Sequence, residues 1–106
     1  MNDDEVPEGS AMMPEIPEEL GVSPLFLAML HAYVFLEGSV DDIVNDKAAS
    51  ECLEFMAMYL QRLQGADLQK AKEDVTTLVG FAKEDKWPTE VVDFLKTFLA
   101  DNGVEV

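Results

Sequence analysis

Apolar residues recur along this chain at helical spacing, and no stretch alternates with the two-residue period of a strand. Ala49, Cys52, Leu53, Met56, Tyr59, Leu60 and Leu63 share one helical face. Leu68, Ala71, Val75, Leu78 and Ala82 step by three and four, and Val91, Val92, Leu95, Phe98 and Leu99 form a third such stripe. The segment from Leu25 to Leu36 differs, because its apolar residues lie all around the helix. A helix of that kind requires neighbours on most sides.

Punctuation residues set the expected boundaries. Ser23 as N-cap and Pro24 at the first helical position start the first helix. It runs to about Glu37, with Gly38 expected in the left-handed C-cap position. Ser39, with Asp42 three residues on, reads as the N-cap of a short helix over 40–45. Val40, Ile43 and Val44 are out of phase with the stripe that follows, so a break is placed near Asn45 and Asp46. Asp46 then caps a long helix from about 47 to 63, which Gly65 ends. Asp67 caps the next helix. Pro88 imposes a boundary at Trp87 and starts the last helix, which closes at Asn102 and Gly103. The loops of two to four residues make consecutive helices antiparallel neighbours. The expected fold is all-α: an up-down bundle of four main helices plus one short helix, over 23–106.

Residues 1–22 form an acidic, proline-containing N-terminal arm. Pro7, Pro14 and Pro17 exclude a long helix there. Met12, Met13, Ile16, Leu20 and Val22 are apolar, so the later half is expected to pack on the body. Pro17 to Leu20 can form one helical turn closed by Gly21.

Charge narrows the partners. The 106 residues carry 22 acids and seven bases, a net charge of −15. Seven of the acids and no base lie in residues 1–20. This balance disfavours direct contact with nucleic acid or an anionic membrane, both of which attract cations. The longest apolar stretch is far short of the roughly 20 residues that span a bilayer. The start Met1, Asn2, Asp3, Asp4, Glu5 has the wrong sign for a signal peptide. A cytoplasmic location is the expectation.

Candidate chemistry is sparse. One histidine, His31, and one cysteine, Cys52, cannot assemble a zinc site of familiar spacing. A Cys52–His31 dyad would resemble a thiol-nucleophile site, but Cys52 is read on an apolar face as a small hydrophobe. Glu37, Asp41, Asp42 and Asp46 cluster after the first helix, yet Ile43 and Val44 stand where a calcium loop needs oxygen ligands. No glycine-rich phosphate loop or nucleophile elbow is present. No catalytic residue, cofactor or metal is therefore assigned.

The residues that break the apolar pattern are Phe55, Met58, Phe81, Trp87 and Phe94. They are the candidate partner-binding residues, because aromatic and methionine side chains rimmed by charge suit protein interfaces. Packing of wide faces against flanking segments competes as an explanation. The functional expectation is a non-enzymatic interaction module or regulator that binds another protein or itself. The alternative is an acidic decoy or inhibitor, DNA-mimic or immunity-like, directed at a basic partner protein.

Overall fold

Ser23 and Pro24 open the first helix as their types dictate: the serine hydroxyl accepts a hydrogen bond from the Phe26 amide. The computed structural model describes residues 7–104, so the acidic start of the arm, with Asp3, Asp4 and Glu5, lies outside them. Four α-helices follow one another: α1 (Pro24–Gly38), α2 (Asp46–Leu60), α3 (Gly65–Glu84) and α4 (Thr89–Asp101). A 3-10 turn, Glu18–Leu20, precedes them and is closed by Gly21 at φ 73°. The described residues contain no strand. The chain is all-helical, as the apolar periodicity requires.

The helices pair as α1 with α2 and α3 with α4. The two pairs meet through aromatic rings on α1 and α4. Tyr33 and Phe98 lie 4.9 Å apart edge to face, and Phe26 meets Phe98 at 6.2 Å in the same geometry. Leu30, Leu78, Leu95 and Phe98 form the sealed centre.

Residues 9–22 are a strap rather than a helix. At one end Val40 N–H donates to Gly9 O (3.0 Å) and Ala11 N–H donates to Ser39 Oγ (2.9 Å). Met13, Ile16 and Val22 then enter the core. At the other end the Lys70 ammonium donates to Gly21 O at 2.9 Å and pairs with Asp74 at 2.8 Å, while the Ser23 amide donates to Asp74 Oδ2. The strap therefore runs antiparallel to α1, tied at both of its ends.

The strap accounts for two departures from expectation. Gly38 is the last residue of α1 and not a left-handed cap: a Cβ there would stand 2.7 Å from that of Ala11, so glycine admits the strap. Ser39 does not cap a helix over 40–45, because its hydroxyl is taken by Ala11. Residues 41–44 form only a turn, with Ile43 and Val44 amides both bonded to Val40 O. Helix starts also shift. Asn45, not Asp46, caps α2 through a 2.9 Å bond to the Ala48 amide. Gln64 precedes α3, leaving Asp67 in its first turn, where its charge suits the helix dipole.

Two helix ends share one closing motif. After α4, Val104 N–H bonds Leu99 O and Gly103 N–H bonds Ala100 O, with Gly103 at φ 78°. After α3, Trp87 N–H bonds Ala82 O and Lys86 N–H bonds Lys83 O, with Lys86 at φ 57°. Lysine pays a steric penalty in that region that glycine avoids. Lys86→Gly is therefore expected to stabilise the fold by about 0.5–1 kcal/mol, read as a rise in the denaturant midpoint. Asp74→Ala removes the anchor of both the strap and the α1 start, and should cost about 2 kcal/mol in the same measurement. A cost under about 0.5 kcal/mol, the scale of an ordinary surface change, would show that the strap is held by apolar packing alone.

Candidate functional site

The all-round apolarity of α1 meets incomplete cover. The strap, α4 and α2 take three of its sides, and the fourth faces solvent. Leu25 is 83% exposed, and Ala28 and Ala32, one and two turns further along the same face, are exposed as well. The expectation of neighbours on most sides is thus met only in part.

Helix α2 continues this surface. Its inward edge carries Ala49, Leu53, Met56 and Leu60, of which only Ala49 is fully buried. Ala48, Cys52, Phe55 and Tyr59 lie on the neighbouring strip and are exposed, Phe55 at 59% and Tyr59 at 56%. Cys52 and Tyr59 were read from the sequence as part of the buried face. They are open because α2 packs on α1 while α3 is taken up by α4, so no described element covers its outer flank, and the Arg62 guanidinium lies over the Tyr59 ring. A shallow cleft of about 230 Å³, lined by Met29, Met56, Tyr59, Leu60 and Leu63, joins the α1 and α2 strips. A second cleft carries the surface on to Leu25 and Phe26. None of the residues on the two exposed strips is charged.

The five candidate residues separate. Phe55 and Met58 are exposed on α2, one turn apart. Phe81 and Trp87 stack edge to face at 5.9 Å across the closing motif of α3, and the indole N–H donates to Asp85 at 3.0 Å. Phe94 packs against Tyr33 and Phe98. The last three are half-buried against the core. Trp87 and Phe94 also line a cleft of about 250 Å³, but the strap residues Met12, Met13 and Pro14 form its other wall. That cleft is already furnished by the chain itself, whereas the α1–α2 surface is not.

The sequence reading missed Leu25, Ala28, Ala32 and Tyr59 as surface candidates. Asp74 was missed as well: it stands within the Ala71, Val75, Leu78 stripe, and a carboxylate on an apolar stripe is a visible signal of a buried tie.

Reactive groups do not converge. His31 is half-buried on α1 and lines none of the clefts described above, and Cys52 is an exposed thiol. Among the described residues, no three His, Cys, Asp or Glu side chains are placed to hold a metal ion. No helix among them is long and apolar enough to cross a membrane. Comparison with protein-family models, curated proteins and solved structures finds no match to this chain. The surface has to be read on its own chemistry.

Two ionisable groups at the α1–α4 seam are perturbed. Burial raises the Tyr33 phenol above its ordinary 10.0, with the Glu37 and Asp101 charges adding to it. Its hydroxyl donates to Asn102 Oδ1 at 3.3 Å. Glu37 is raised above 4.5, first by desolvation where it borders a cleft with Val34, Val91 and Phe94, then by Asp101. For both acids the folded state holds its proton longer than the unfolded chain. Their contribution is complete below the ordinary value and is lost as pH rises through the raised one. Glu37→Gln should therefore gain on the wild type as pH is raised from about 4 to 7, seen as a widening difference in Tm. In a Tyr59→Phe background, the absorbance titration of Tyr33 should fall above 10.0 when folded and return to it in denaturant.

Proposed function

We propose that this protein is a protein–protein interaction module, without enzymatic chemistry, that binds through the uncovered α1–α2 face. The observation that carries the reading is that the most apolar helix of the chain has a solvent-facing strip with Leu25 almost fully exposed. Single exposed apolar residues are ordinary. Two uncharged strips side by side, Leu25, Ala28 and Ala32 on α1 with Cys52, Phe55 and Tyr59 on α2, are the arrangement that marks an interface. Phe55 and Met58, singled out from the sequence, belong to this face or its rim. Phe81, Trp87 and Phe94 are accounted for by helix closure and core packing.

A second reading, an acidic decoy or inhibitor of a basic partner protein, draws on charge placement. Residues 7–60 hold ten acids and one base, and residues 61–104 hold eight acids and six bases. A decoy binds through carboxylates and loses affinity steeply with salt, whereas an apolar interface keeps it.

The test is capture of partners on the immobilised full chain from nuclease-treated lysate, eluted in rising salt, in parallel with Leu25→Ser/Phe55→Ser. Both side chains are exposed, so each substitution should change stability by under about 0.5 kcal/mol. A partner held at high salt by the wild type and lost by the double variant is the expected outcome. A partner retained by the double variant and released at modest salt would favour the decoy.

A further inference from the structure

The α1–α2 face has carboxylates on three of its edges, and this charge pattern specifies what it can accept. Along the outer edge of α2 stand Glu51 and Glu54, both exposed, with the bases Lys47 near its start and Arg62 just past its end. Asp41, Asp42 and Asp46 lie at the end where the chain turns from α1 into α2. The strap borders the opposite side of α1, and there Glu15, Glu18 and Glu19 are exposed. Lys47 is the single base in residues 7–60. At the remaining end, Arg62 stacks over the Tyr59 ring at 4.8 Å and Lys70 is held by Asp74 and Gly21.

We infer that the occupant of this face is a cationic amphipathic helix of a partner protein, one that lays an apolar stripe along the α1–α2 seam and presents Lys or Arg to the carboxylates that border it. This rests on the reading of the face as an interface and adds the chemistry of its ligand. The shape favours a helix: the α1–α2 seam carries two shallow clefts that share Met29, Leu60 and Leu63, and a third helix fills the groove between two packed helices through side chains at i, i+3, i+4 and i+7. Charge works against the simplest rival. A second copy of this chain would bring one carboxylate rim against another, and like charges juxtaposed at an interface oppose binding. A basic partner converts the same rim into attraction and into faster encounter.

The proposal is tested by fluorescence anisotropy with the full chain and three 18-residue peptides. The first places leucines at helical stripe positions with lysines elsewhere. The second replaces every lysine by glutamate, and the third scrambles the leucine–lysine sequence so that no stripe forms. The first is expected to bind at least tenfold tighter than either of the others. Leu25→Ser/Phe55→Ser and, separately, Glu51→Lys/Glu54→Lys should each weaken it at least tenfold. The control Glu84→Lys/Asp93→Lys, with the same change in net charge on α3 and α4, should stay within twofold. Circular dichroism and Tm establish that each variant is folded.

Equal binding of the scrambled peptide, or an equal loss in the control variant, would overturn the proposal in favour of unspecific charge attraction. Equal binding of the glutamate peptide would overturn the charge argument. Self-association of the chain abolished by Leu25→Ser/Phe55→Ser would make a second copy the occupant. If no peptide binds while a lysate partner is still lost on Leu25→Ser/Phe55→Ser, the cationic helix fails and the interface stands. If that partner also persists, both fail.

Discussion

The fold is organised around the problem of covering α1. With apolar residues on every side, this helix cannot lie on a surface as its neighbours do, and a chain of 106 residues has few elements to offer it. Helix α4 takes one side with Phe94 and Phe98 against Tyr33 and Phe26. Helix α2 takes a second with Met56 and Leu60 near Met29. The third is closed by an extended strap whose Met13 and Ile16 are buried. Among the described residues α3 is committed to α4, and the strip through Leu25, Ala28 and Ala32 stays open. The proposed interaction role draws on this shortfall.

The strap is the least ordinary part of the solution, because outside its turn at Glu18–Leu20 it is extended and needs partners for its backbone. It finds them at its ends. Ser39 and Val40 bind it near the end of α1, and Lys70 holds Gly21 at the other. Asp74 completes this end by accepting from both Lys70 and the first amide before α1. A carboxylate that is 2% exposed is tolerated because both of its oxygens are occupied. One buried acid thus joins α3, the strap and the α1 start, and thereby sets where the open face of α1 points.

Helix type was legible because it depends on local spacing. The Ala71, Val75, Leu78 stripe and the Leu95, Phe98, Leu99 stripe are buried where the periodicity puts them. The turn at Glu18–Leu20 with Gly21 was equally readable from its proline and glycine. Long-range competition was not. Ser39 carries the local signature of an N-cap, yet an amide 28 residues away claims its hydroxyl. The width of the α2 apolar face was visible in the sequence, but which half of it would be covered depends on α3 choosing α4 as its partner. Trp87 and Phe81 looked like leftovers from two helical patterns. They are brought together by the left-handed Lys86, a conformation that nothing in a lysine announces.

The location of the charge and the location of the open face are related. A bare apolar face invites aggregation, and an acidic rim counters self-association without filling the groove. Glu15, Glu18 and Glu19 on the strap, Asp41, Asp42 and Asp46 at the turn, and Glu51 and Glu54 on α2 supply such a rim on the side where cover is missing. Residues 61–104, with eight acids against six bases, build the α3–α4 hairpin, where each helix is already partnered. An apolar module and an acidic decoy are usually separate designs, one salt-tolerant and one salt-sensitive. Here a single surface carries both features, so apolar burial would supply the affinity and the carboxylates would restrict it to basic partners.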